Sequence, residues 1–210
     1  MSKFASSDLT AGQLNAVVKK LGGHEATLRF LRGELVVSEP VRRWRGENGV
    51  IYFTLVSYGL TSEQWIAHLE AKKGYGVSRG AKDLLLSSEF KPTNGVAYNI
   101  AVVKGELFAD NDRVTKNIRQ EADKRKFTTP NPEVVCLIRD SFSDQEIREM
   151  GLTWIIAMNN PIKDSDGGLR LLGVNADRHS LSTGCDFPDN KWRRNGGFAF
   201  ALPQVSNTQN

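Results

Sequence analysis

The stretch TWIIAMNNPIKDSDGG, Thr153 to Gly168, sets an apolar run against two asparagines, a proline and an Asp-Ser-Asp-Gly-Gly cluster. A short β-branched and aromatic run bounded by turn residues reads as a strand. Pro161 lacks a backbone donor and pushes Asn160 toward an extended conformation, so the strand is expected to end near Met158. The amides of Asn159 and Asn160 are then expected to bond to neighbouring backbone. Asp164 to Gly168 should turn the chain into a strand beginning near Leu169, because Asp-Gly tolerates positive φ. Asp164, Asp166 and Gly167 also echo the start of a calcium loop, but Gly168 at the fifth loop position and Asn175 at the twelfth leave out the later ligands. The segment therefore reads as a strand, a turn and a strand.

Working outward, LRLLGVNA and GFAFALP are two further strands. Upstream, Ser143 caps DQEIREM and Gly151 stops that helix, while Pro132 suits the first turn of another. FTTPNPE, with two prolines among small polar residues, is the best linker in the chain. In the first half, VIYFTLVSY and NGVAYNIAVVKG read as strands. Thr61-Ser-Glu-Gln64 is a capping box stapled by Leu60 and Trp65, starting a helix to about Lys73, and SRGAKDLLLSSEF reads as a further helix. Val114, Ile118 and Ala122, four apart, give a helix resting on the core by a narrow stripe.

At the start, Thr10-Ala-Gly-Gln13 is another capping box, stapled by Leu9 and Leu14, and Leu14, Val17, Val18 and Leu21 form one apolar stripe ended by Gly22-Gly23. HEATLRFLRGE follows as a second helix ending near Gly33. The expected fold is α+β: a mostly antiparallel sheet of about five strands covered by helices, with an N-terminal helical hairpin. Residues 1–126 are expected to form the hairpin plus an α/β half with two strands, 129–204 an α+β half with three, and 205–210 a disordered tail.

The 210 residues are 40% hydrophobic, enough for a sizeable core. The apolar runs are strand-sized, with none long enough for a signal peptide or a membrane span, so a cytoplasmic protein without a membrane partner is expected. Cys136 and Cys185 are too few for a disulfide framework and are expected to be reduced thiols. Residues 1 to 45 hold eight Lys or Arg against four acids and account for the whole net charge of +4. A second basic run comprises Arg113, Lys116, Arg119, Lys124, Arg125 and Lys126, opposed by Glu121 and Asp123. Either run could face a polyanion or simply form a solvated helix face.

Motif chemistry is sparse. His24, His68, His179, Cys136 and Cys185 show neither CxxC nor HExxH spacing, so no metal site is expected. Ser88-Glu-Phe-Lys91 matches Ser-x-x-Lys without its companion motifs. Gly74, Gly76 and Gly80 follow a helix and not a strand, which excludes a dinucleotide fingerprint. Trp192, beside Arg193 and Arg194, is suited either to stacking on a base or sugar or to packing against the last strand.

The segments LNAVVKKLGGHEATLRFLRGEL, FKPTNGVAYNIAVVKG, DNDRVTKNIRQEADKRK, CLIRDSFSDQEIREMGLTWIIAM and PIKDSDGG with LLGV together resemble a family of bacterial proteins without assigned function, found chiefly in candidate phyla with reduced gene sets. The resemblance covers nearly the whole chain. It implies Met-His-Glu-Pro-Ile in relatives where this chain has Met158-Asn159-Asn160-Pro161-Ile162, so a titratable pair there is replaced by two amides.

The leading expectation is a non-enzymatic cytoplasmic binding or assembly protein with no catalytic residue, metal or cofactor. Its expected partner is nucleic acid, contacted by Arg29, Arg32, Arg42, Arg43, Arg45, Arg113, Lys116, Arg119 and Lys124. One alternative is a small hydrolase or ligand-binding protein with a polar site at the end of the 153–158 strand, drawing on Asn159, Asn160, Asp164, Asp166 and His179. Another is a structural subunit that assembles with itself or another protein.

Overall fold

The computed structural model describes residues 10–36 and 42–203. The expected Leu9 side of the first staple and the 205–210 tail lie outside these residues. The chain divides after Arg42 into a helical hairpin unit and a larger unit.

The hairpin consists of α1 (Ala11–Leu21) and α2 (His24–Leu31). Thr10 and Gln13 form the reciprocal cap, with Thr10 N donating to Gln13 Oε1 at 2.8 Å and Gln13 N to Thr10 Oγ1 at 3.3 Å. Gly22 closes α1 at φ 98°, a left-handed conformation that costs a glycine little. Neither helix buries a residue, and Leu14, Val17, Phe30 and Leu31 remain exposed.

The larger unit is α+β. Its strands are β1 (Arg45–Glu47), β2 (Val50–Tyr58), β3 (Gly76–Val77), β4 (Asn94–Lys104), β5 (Trp154–Ala157), β6 (Ile162–Lys163), β7 (Leu169–Asn175), β8 (Ser180–Cys185) and β9 (Gly196–Ala201). They form one sheet in the order β1-β2-β4-β9-β5-β7-β8-β3, with β6 beside β7. The β5–β9 and β3–β8 pairs are parallel and the others antiparallel. The expectation of about five mostly antiparallel strands is therefore corrected to nine in a mixed sheet among the described residues. All five expected strands exist. The additional β1, β3 and β6 are only two or three residues long, and β8, SLSTGC, has no apolar alternation to mark it.

Strands from both expected halves interleave: β9 lies between β4 and β5, and β3 pairs with β8. The main core lies where α3 (Ser62–Ala71), α4 (Arg79–Leu85), α6 (Val134–Ser141) and α7 (Asp144–Glu149) cover one face. In α6 every residue from Val134 to Arg139 is buried. Buried Glu133 is satisfied by Trp65 Nε1 at 3.0 Å and by Thr93 N and Oγ1 at 2.8 Å each, as a buried carboxylate requires. On the opposite face, α5 (Thr115–Lys124) sets Ile118 and Ala122 against Val103, Ile156, Leu171, Phe198 and Phe200. That is the narrow stripe its spacing implies.

The opening segment folds as a strand, turn and strand. β5 stops at Ala157, Asp164 N donates to Gly168 O at 2.9 Å, and Gly167 takes φ 79° before β7 begins at Leu169. No helix among the described residues is long and apolar enough to cross a membrane.

Candidate functional site

The expected nucleic-acid contacts have varied surroundings. In the hairpin unit, Arg29 lies 3.7 Å from Glu34, Arg32 lies 2.6 Å from Glu34 and 3.6 Å from Glu25, and Arg42 is exposed. In the larger unit, Arg43 pairs with Glu146 at 2.7 Å and lies over the Phe142 ring, while Arg45 pairs with Glu47 at 3.0 Å and lies over Tyr52. Arg113 is buried. Its Nε donates to Gly105 O at 2.8 Å, and its Nη2 to Phe108 O at 2.9 Å and Asp110 Oδ1 at 2.8 Å. Arg119 clamps the opening segment, donating to Met158 O at 3.1 Å and Asn159 O at 3.3 Å while pairing with Asp186 at 3.0 Å. Lys124 is 3.8 Å from Glu121. Lys116 is exposed and makes no ion pair among the described residues.

The residues of the alternative site do not converge. Asp164 Oδ1 accepts from the backbone N–H groups of Asp166 and Gly168, and its Oδ2 from Arg170 Nε at 2.6 Å. Asn159 is buried and donates to Asn160 O. His179 lies beyond the other end of β7, about 20 Å away by strand rise, where its Nδ1 meets Asp144. No group of three or more His, Cys, Asp or Glu among the described residues is arranged to hold a metal ion.

A cleft of about 340 Å³ opens at the start of the 153–158 strand and not at its end. Thr153 and Trp154 come from β5 and its approach, Asn175 from β7, Gly184 from β8 and Phe198 from β9, while the 190–193 segment forms a wall with Trp192. Glycines on neighbouring strands create the depression. A Cβ on Gly184 would lie 2.8 Å from the Trp192 ring, and one on Gly173 would lie 2.5 Å from Ile156 Cδ1 and 3.1 Å from Trp154 Nε1. Side chains there would displace both indoles.

Trp192 is held from three sides. Its Nε1 donates to Thr115 Oγ1 at 2.9 Å, its backbone N donates to Arg113 O at 3.0 Å, and its ring meets Phe198 edge-on at 5.7 Å. Arg113, satisfied by carbonyls, thus supports the wall of the cleft. Trp154 differs, because its Nε1 is buried without a hydrogen-bond partner, as is Ser182 Oγ on β8 opposite Gly173. Each such group costs about 1–3 kcal/mol. Asn175 Oδ1 accepts from the N–H groups of Asp177 and Arg178 at 3.0 Å each and fixes the turn that carries them.

The mouth is cationic. Arg178, Lys191 and Arg193 are exposed and make no ion pair among the described residues, while Asp177, the acid of the lining, lies 3.7 Å from Arg148. Sequence reading weighs a binding role for Trp192 beside Arg193 but gives none to Trp154, Asn175 or Arg178. Those last three are brought to the cleft by strand order, which no local pattern encodes.

A second polar cluster ties the helices to the sheet on the opposite face. Asp140 on α6 accepts from Tyr58 Oη and His68 Nε2 at 2.6 Å each and from Lys72 Nζ. Burial, reinforced by Asp140, pushes the Tyr58 hydroxyl well above its ordinary value. This cluster does not line the cleft.

No protein-family model, curated protein or solved structure matches the chain.

Proposed function

We propose that this chain is a non-enzymatic binding protein whose partner is nucleic acid, engaged at the tryptophan-lined cleft. The observation that carries this reading is the placement of Arg178, Lys191 and Arg193 around one cleft with no carboxylate partner among the described residues. Charges already paired within a protein gain little from a phosphate. Unpaired cations gain its attraction and release its condensed counterions. Exposed Lys116 belongs to the same neighbourhood, since its backbone N donates to Pro188 O and the preceding Thr115 holds Trp192. Among the expected contacts, Arg113 and Arg119 support this face from beneath by fixing the Trp192 wall and the 158–159 backbone. The lining holds no histidine and no nucleophile paired with a base, which favours binding over catalysis.

Fluorescence anisotropy with labelled single-stranded DNA, RNA and duplex DNA at low salt tests this reading. Binding should weaken steeply with salt. The combined substitution Arg178→Gln, Lys191→Gln and Arg193→Gln should lower affinity at least about tenfold and reduce the salt slope by about 1 per cation removed. Failure of all three nucleic acids to bind at low salt refutes it.

A further inference from the structure

We infer that the cleft receives one unpaired base, so that the ligand is single-stranded nucleic acid and not duplex; this rests on the nucleic-acid reading above. A duplex keeps its base faces stacked inside and offers phosphates and groove edges, leaving the indoles of this cleft unused. A single strand presents a base face with its phosphate alongside. The cleft has matching parts: the half-buried Trp154 and Trp192 supply ring surface, backed by the buried Phe198, and Arg178, Lys191 and Arg193 stand at the mouth.

Its volume of about 340 Å³ lies at the small end of the roughly 300–1,000 Å³ spanned by small-ligand pockets, a scale suited to one base and its sugar. Gly184 helps leave this room, because a Cβ there would meet the Trp192 ring at 2.8 Å and force it to shift. Thr153 and Asn190 also lie in the lining and bring polar side chains to the cleft.

Trp154 supplies the independent observation. Its buried N–H has no acceptor among the described residues. An indole that turns into the cleft when a base enters can donate to an acceptor on that base, and every base carries ring-nitrogen or carbonyl acceptors. The contact is therefore tolerant of sequence. Stacking and this one donor favour an unpaired base without selecting which one.

The test uses the full chain with a labelled single strand, its duplex of equal length and a mononucleotide, at one low salt concentration. The single strand should bind at least about tenfold tighter than the duplex and quench tryptophan fluorescence. Trp192→Ala should collapse that ratio. Trp154→Phe, which keeps a ring but removes the donor, should weaken single-strand binding several-fold without changing its salt slope. Trp192→Phe and thermal melting of each variant separate loss of stacking from loss of fold, since phenylalanine should restore part of the preference. Equal binding of strand and duplex, salt-dependent and without quenching, overturns the unpaired-base site while leaving the polyanion reading intact. Absence of all binding overturns both. A mononucleotide that competes as well as the strand overturns the strand as ligand and makes this a free-nucleotide site.

Discussion

The hydroxyl of Tyr58, at the end of β2, donates to Asp140 of α6 at 2.6 Å. His68 of α3 and Lys72, which follows that helix, reach the same carboxylate, so one side chain joins the sheet to two helices. Burial alone would raise the Asp140 pKa, but the hydrogen bonds from Lys72, Tyr58 and His68 outweigh it and hold the carboxyl below its ordinary value. A depressed carboxylate contributes stability that is present above its unfolded pKa and lost as pH falls through the folded one. Acid titration of the melting temperature should therefore show a decline beginning below about pH 4. Asp140→Asn should shrink that decline and cost about 1 kcal/mol at neutral pH, a modest value because the cluster is partly open to solvent.

Arg113 should be among the most sensitive polar positions. Its guanidinium satisfies Gly105 O and Phe108 O, and its own carbonyl accepts from Trp192 N. Arg113→Met leaves buried carbonyls without donors and should destabilise the fold by about 2–4 kcal/mol in urea denaturation. Lys124→Met, at an exposed pair, should fall within about 0.5 kcal/mol of the parent.

The 164–168 turn separates two aspartates that look alike in sequence. Asp164 accepts from two backbone N–H groups and from Arg170. The side chain of Asp166 has no partner among the described residues. Asp164→Ala should lower the melting temperature and Asp166→Ala should leave it unchanged. Added calcium should shift neither these variants nor the parent, because the Asp164 oxygens are already engaged; a calcium-dependent rise in the parent that the double substitution removes would contradict this.

The thiols should differ in reactivity. Cys136 is fully buried in α6, and burial raises its pKa well above the ordinary thiol value, whereas Cys185 is half-buried on β8. A thiol reagent should label one cysteine in the native protein and the second only in denaturant.

Much of the fold is legible from local pattern. VIYFTLVSY and NGVAYNIAVVKG announce β2 and β4 by their β-branched and aromatic content, and the Thr10, Thr61 and Ser143 caps mark three helix starts. What escapes has a common cause. β1, β3 and β6 are too short to show a period, and β8 owes its place to pairing with β7 and not to apolar residues of its own. The cleft escapes for a related reason, since Trp154, Gly184 and Trp192 become neighbours only when β5, β7, β8 and β9 take their order. Charge counting is also blind to pairing. It weights Arg113, buried under carbonyls, equally with Arg178, which stands at the mouth of the cleft.

The position of β9 between β4 and β5 bears on how the protein comes off the ribosome. Residues Gly196–Ala201 emerge after the other eight strands of the described residues have been synthesised, yet they join one half of the sheet to the other. Until then the β4 and β5 edges stay open, with Ile100 to Val103 and Ile155 to Ala157 unable to complete their ladders. A nascent chain stalled before that point is a pair of unfinished sheets, inviting strand pairing with other chains and a place among the clients of holding chaperones.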